Sequence, residues 1–443
     1  MNTKRILFAS MPLEGHFNPL TGLAVHLQRL GYDVRWYTGP SYADKVRRLG
    51  LPFYPYQQAI ELNQDNFDEI IPERKQIKGA IAKLRFDINH AFLLRVPEFV
   101  ADLTSIHQEW PFELLVCDVA FTGAPFIRQL LNVPVAAVGV VPLIETSRDL
   151  PPSGMGLTPM RGVLGRPIQA LLRYLITHHL LKTCTDQYNQ LLQAYGLPKT
   201  SKFLFDAMIQ HCDVLLQSGA PGFEYPRSDM SETIRFVGPM LPYTNGVKRP
   251  FADVTKARMY ERVVLVTQGT VERDATKLIV PTLDAFKNDS RTLVIVTTGG
   301  SQTAELRERY PQENVIIEDF IDFNSVMPYT DVYVTNAGYG GVMLSLQHGL
   351  PMVAAGVHEG KNEIAARVGY VNVGVNLKTE RPTARQIQTA VEEVLTNRDY
   401  KRNAQRLRAE FKQYNPNALC TKYITDLLGK QPVVCEPVLN PVE

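Results

Sequence analysis

Residues 331–368, DVYVTNAGYGGVMLSLQHGLPMVAAGVHEGKNEIAARV, constrain the fold more than any other stretch. A strand-like run at 332–335 enters a glycine-dense turn at 336–341, and a helix-like segment at 342–348 is stopped by Gly349. A second buried strand follows at 351–355, then a loop and a helix around 363–368. Strand, glycine turn and helix start together aim free backbone N–H groups and the positive helix end at an anion. Glycine suits such a turn because a side chain would block a phosphate and some positions need φ > 0. Gly338 and Gly340 supply G-x-G, but Met343 stands where a dinucleotide fingerprint has its third glycine. No G-K-[ST] follows, so this is not a Walker loop. The turn reads either as a phosphate site of another kind or as a tight α/β connection.

The same alternation occupies the whole chain. Strands at 5–10, 33–38 and 53–56, with helices at 19–30 and 42–49 between them, give a β-α-β-α-β start. Further strands are expected at 114–117, 133–138, 214–217 and 235–237, with irregular helix over 57–110 and helical segments over 167–195. Residues 140–166 are rich in Pro and Gly and read as a long loop near a pocket. A second series runs through strands at 262–267, 292–297 and 315–318 and a helix at 276–286. It continues through the opening stretch and ends in helices at 384–395, 400–411 and 417–428. The division expected is a first domain over 1–240, a linker at 241–256 and a second domain over 257–416. A last helix and a tail are expected over 417–443. The fold class is α/β, two doubly wound Rossmann-like domains with their strand ends facing across a cleft.

Length alone, 443 residues, calls for more than one core. Lys and Arg number 47 against 45 Asp and Glu, and a net +2 gives no electrostatic case for nucleic acid or an anionic membrane. The five cysteines are scattered without a C-x-x-C pair and read as reduced thiols of a cytoplasmic protein. The N-terminus does not read as a signal peptide, and no apolar run is long enough for a membrane span.

The loops at the strand ends carry the candidate chemistry. His16 follows the first strand in a loop over 11–18, where an imidazole suits a general base; a packing or capping histidine is the plainer alternative. Asp118 ends the fourth strand, which in a parallel sheet can lie beside the first, and could hold the imidazole or simply cap a helix. Thr267, Gly269 and Thr270 could hold a diphosphate through hydroxyl and backbone N–H groups, or cap a short helix. No metal-ligand spacing and no D-x-D pair occurs, so neither a metal nor a cofactor is expected.

The segments EGHFNP near the start and VTNAGYGGVMLSLQHGLPMVAAG with EGKNEIAARV near the end resemble nucleotide-sugar-dependent glycosyltransferases of the GT-B fold. Within these the chain is most similar to the macrolide-glycosyltransferase-like branch of the UDP-glycosyltransferase family. The resemblance implies an inverting transfer of a hexose from a nucleoside-diphosphate sugar, UDP-glucose being the expected donor, to a hydroxyl of a lipophilic small molecule. It implies His16 as base and Asp118 as its partner. Thr267, Gly269, Thr270, Asn336, Gly338, Gly340 and Gly341 would form the diphosphate cradle. Phe320 and Ile321 would meet the nucleobase, and Glu359, Gly360 and Lys361 the sugar. The chain departs from the family pattern where Asn336 replaces a histidine, Leu344 an acidic residue, and Gly360-Lys361 an Asp-Gln pair. A sugar-nucleotide epimerase of this architecture and a non-catalytic sugar-nucleotide binder are the alternatives.

Overall fold

The computed structural model describes residues 3–63, 66–244, 251–269 and 272–429. The sequence-stretches expected at 245–250 of the linker, at Thr270 and in the tail beyond residue 429 lie outside them, as does Cys435. Among the described residues one sheet takes β1 (Arg5–Ala9), β2 (Asp33–Thr38), β3 (Phe53–Pro55), β4 (Leu114–Asp118), β5 (Val135–Gly139), β6 (Val214–Ser218) and β7 (Ile234–Gly238). Its order is β3-β2-β1-β4-β5-β6-β7, parallel throughout. A second takes β8 (Arg262–Thr267), β9 (Thr292–Thr297), β10 (Val315–Glu318), β11 (Val332–Thr335), β12 (Met352–Ala354) and β13 (Gly374–Asn376). It is parallel too, in the order β10-β9-β8-β11-β12-β13.

Both sheets are covered on both faces, which is why their strands are near-continuous apolar runs. Side chains alternate between the two covers: Ile6 and Phe8 join one core, Leu7 and Ala9 the other. Val263 and Leu265 likewise part from Val264 and Val266. The last described helix, Pro416–Gly429, sets Cys420, Ile424 and Leu427 into the same core as Ile6 and Phe8. The chain thus returns to its first sheet.

Several elements differ from expectation for local reasons. The helix expected at 19–30 spans Glu14–Arg29, with Pro19 inside it. Its extra turn begins with Glu14, an acid at the positive helix end, which accepts from Asn18 Nδ2 at 2.8 Å and pairs with Lys45. The helical run expected over 167–195 breaks into Gly165–Leu175, a π-helical turn at Ile176–Leu180, and Lys182–Ala194. Helices Leu204–Gln210 and Thr303–Arg309 and the three-residue strand β13 were not anticipated. Among the described residues no helix is long and apolar enough to cross a membrane.

Candidate active site

β1 and β4 are neighbours, with Ala9 opposite Cys117, so the chain leaving β1 passes the end of β4. There Asp118 is fully buried, with Oδ1 2.7 Å from His16 Nδ1. The Met11 N–H donates to Oδ2 and the Ala120 N–H to Oδ1, each at 2.8 Å. Three donors therefore converge on one carboxylate. An acceptor facing Nδ1 fixes the tautomer with the proton on Nδ1 and leaves the lone pair on Nε2. His16 keeps 19% of its side chain exposed. It sits in the first turn of a helix rather than in a loop: the His16 and Phe17 N–H groups both donate to the Leu13 carbonyl at 2.9 Å.

Across the crevice, the helix after the glycine turn spans Tyr339–Gln347, three residues earlier than the expected 342. Gly338 is its extended N-cap, and Gly340 and Gly341 lie in its first turn, not before it. No N-cap side chain caps the helix, and among the described residues its first N–H groups have no side-chain acceptor. A Cβ at 341 would stand 3.0 Å from the Tyr333 hydroxyl, which would have to give by a few tenths of an ångström. This helix packs against the one that carries His16.

Thr335 and Thr267 pair at the ends of β11 and β8, which makes their following loops neighbours. The buried Thr267 accepts the Gly269 N–H on Oγ1 at 3.2 Å, and Asn336 Nδ2 donates to the Gln268 carbonyl. Gly269 is exposed with φ 73°. Thr270 lies outside the described residues. Gln268 escaped the sequence reading: its Oε1 accepts the Leu278 and Ile279 N–H groups at 2.9 and 3.0 Å and so anchors the loop.

Phe320, just past β10, is 71% exposed, with its ring beside Gly300 at the end of β9. Ile321 is half-buried against the core. Glu359 and Gly360 both have positive φ, and Lys361 Nζ lies 2.6 Å from Glu359 Oε2 at the start of helix Lys361–Tyr370.

Contacts that bind the two sheets together were invisible to the sequence reading. The Tyr339 hydroxyl donates to the Ser218 carbonyl at 2.7 Å. Arg367, buried, donates through Nε to Glu224 Oε2 at 2.8 Å and through a terminal nitrogen to Glu363 Oε2 at 2.9 Å. Burial works against its charge, but Glu224 and Glu363 outweigh that and raise its pKa. Glu363 Oε1 in turn accepts the Gly154 and Gly156 N–H groups at 2.9 and 2.7 Å. The 140–166 loop is therefore strapped onto the second half of the chain. Only the i,i+4 spacing of Glu363 and Arg367 hinted at this cluster.

Among the described residues no group of three or more His, Cys, Asp or Glu could hold a metal ion. Comparison with known proteins supplies the rest. The family model for UDP-glucoronosyl and UDP-glucosyl transferase matches residues 99–416. The 4'-demethylrebeccamycin synthase of Lentzea aerocolonigenes is 34% identical over 407 residues, 92% of this chain and 95% of that one. UDP-glucosyltransferase A1 of Starmerella bombicola is 27% identical over 95% of this chain and 92% of its own. The crystal structure of the glycotransferase of kitacinnamycin superposes with a TM-score of 0.74 at 18% identity, over 97% of this chain and 100% of that one. The chain belongs to the UDP-glucoronosyl and UDP-glucosyl transferase family, and is a glycosyltransferase that works from a nucleotide sugar on a small-molecule acceptor.

Proposed function

We propose that the protein transfers glucose from UDP-glucose to a hydroxyl of a lipophilic acceptor, inverting the anomeric carbon without a metal. The observation that carries this reading is the His16–Asp118 pair, 2.7 Å apart, with His16 on a helix packed against the glycine-capped helix Tyr339–Gln347. His16 Nε2 takes the proton from the acceptor hydroxyl as its oxygen attacks the anomeric carbon, and Asp118 offsets the charge gained by the imidazole. The leaving diphosphate is met by the N–H groups after Gly338, at Gly340 and Gly341, and by Gly269, Thr270, Asn336 and the Thr267 hydroxyl. Phe320 offers a stacking face for the base, with Ile321 beside it, and Glu359, Gly360 and Lys361 face the sugar. Residues 1–240 bind acceptor, chiefly through 57–110 and 140–166. Residues 257–416 bind donor, with 241–256 as linker and helix Pro416–Gly429 returning to the first domain.

The test is a panel of UDP- and dTDP-sugars with phenolic and macrolide acceptors, products read by mass spectrometry and their anomeric configuration by NMR. A β-glucoside from UDP-α-glucose is expected. A product that retains the donor configuration would overturn the single-displacement mechanism.

A further inference from the structure

Among the described residues the 140–164 stretch, proposed above to lie on the acceptor side, forms neither helix nor strand. Its backbone N–H groups need acceptors from elsewhere, and side chains supply several of them. The Leu143 N–H donates to Glu224 Oε1 at 3.0 Å, the Thr146 N–H to Asp206 Oδ1 at 2.7 Å and the Arg148 N–H to Asp229 Oδ2 at 2.8 Å. All three carboxylates belong to the first half of the chain. At Gly154 and Gly156 the support changes sides. Both N–H groups donate to Glu363 Oε1, and Asn362 Nδ2 donates to the Gly154 carbonyl at 2.9 Å. The approach is close enough to favour glycine at 156, where φ is +63° and a Cβ would stand 2.9 Å from the Asn362 Cβ.

Asn362 and Glu363 lie in the first turn of helix Lys361–Tyr370, directly after Glu359, Gly360 and Lys361. A buried ion triad then joins the tip of the loop to its root. Glu363 Oε2 accepts from Arg367, Arg367 also donates to Glu224 Oε2, and the other oxygen of Glu224 holds the Leu143 N–H. Arg367 is 1% exposed, and its guanidinium lies over the Tyr225 ring, 4.4 Å from the centroid. Glu224 stands in the first half of the chain, Glu363 and Arg367 in the second. Parting the halves would strip a buried cation of one of its two anions, which is costly. The triad therefore holds the loop and the start of the second-half helix as one body.

We propose that Glu363 is a positioning residue for transfer. It clamps the acceptor loop to the start of the helix beside the sugar contacts, so that the acceptor hydroxyl rather than water reaches the anomeric carbon. Glu363 acts through the backbone of residues 154–156 and touches neither substrate. Its effect on transfer rests on the reading proposed above; the clamp itself does not. With the clamp loosened, water takes the acceptor's place. Its oxygen bonds to the anomeric carbon, His16 Nε2 takes its proton, the bond to the diphosphate breaks and UDP leaves, giving free glucose. A lost clamp is therefore read as a shift from glucoside to glucose at unchanged donor binding.

Glu363→Gln keeps the shape of the side chain but must turn its NH2 either to the two glycine N–H groups or to Arg367, so one set of donors loses its acceptor. Gly156→Ala leaves every carboxylate in place and pushes the loop off Asn362 by sterics alone, which keeps the test open should Glu363→Gln fold poorly. Both variants are expected to raise the KM for a phenol acceptor about tenfold and the ratio of glucose to glucoside about tenfold. The kcat at saturating acceptor and the calorimetric UDP affinity should stay within about threefold. Hydrogen exchange over residues 153–158, read by mass spectrometry without substrates, should be slow in the wild type and at least about tenfold faster in Glu363→Gln. Three results would overturn the proposal. One is rapid exchange there in the wild type. Another is a lower melting temperature in both variants with acceptor KM and product ratio unmoved, which makes the cluster structural only. The third is a loss of UDP affinity as large as the rise in acceptor KM, which makes Glu363 part of the donor site. Wild-type protein that transfers no sugar, with exchange slow and released by Glu363→Gln, would count against the catalytic reading alone.

Discussion

Replacing Asp118 by Asn separates the catalytic from the structural work of the buried carboxylate. The side chain keeps its shape, but one oxygen becomes an NH2 that must face a donor. Turned one way it opposes the Met11 N–H; turned the other it opposes both the Ala120 N–H and the imidazole. The first costs less and leaves one buried N–H without an acceptor, about 1–3 kcal/mol of stability. Catalysis loses more. When His16 takes the acceptor proton, it becomes a cation 2.7 Å from what is now a neutral amide. A pair of unit charges at such range contributes about 4 kcal/mol at an effective dielectric near 20, equivalent to roughly 10³-fold in rate. We expect kcat with UDP-glucose and a phenol to fall about 10³-fold, while calorimetric UDP affinity stays within about twofold, since no donor contact changes. A lower melting temperature with kcat within tenfold of wild type would refute the reasoning, leaving Asp118 as a cap for its own loop.

His16→Ala should lower kcat by about 10²–10⁴-fold with donor affinity unchanged, and near-normal turnover would remove the imidazole from the mechanism. Activity should survive excess chelator, because the diphosphate contacts proposed are backbone N–H groups and side chains; loss restored by Mg²⁺ or Mn²⁺ would defeat that account. Leu344, half-buried in the helix after the glycine turn, offers a ribose 2′-hydroxyl no acceptor, so dTDP-glucose should match or exceed UDP-glucose in kcat/KM, and a strong preference for uridine would sink the idea. Burial holds the pKa values of His90, His107, His211 and His348 below the ordinary 6.5, with cationic neighbours adding to it. The unfolded chain therefore binds protons that the folded one refuses as pH falls below 6.5, and thermal stability should drop toward pH 5.5; a flat melting temperature across that window would contradict it.

What the sequence revealed and what it hid divide along a physical line. Strands β8, β10 and β11 were legible to the residue, because β-branched runs buried on both faces have no other comfortable conformation. The pairing of His16 with Asp118 was readable as a candidate because topology alone brings adjacent parallel strand ends together. Contacts such as Glu224 with Arg367 or Ser218 with Tyr339 were not, since their partners belong to different halves of the chain and meet only once the two folded halves dock. The two helix starts at the crevice failed for a different reason. Both helices begin earlier than their propensities indicate, one through Gly15 and His16, the other through Gly340 and Gly341. A helix optimised for stability would start at a Ser, Thr, Asp or Asn whose side chain takes up the first N–H groups. Neither of these has a side-chain cap: the first, with Leu13 at the cap, forgoes about 0.5–2 kcal/mol, and the second, with Gly338, a few tenths of a kcal/mol. The second leaves its N–H groups for an anion to take up. Local rules break where function makes its own demand on the backbone, and the misjudged helix starts are therefore themselves pointers to the crevice.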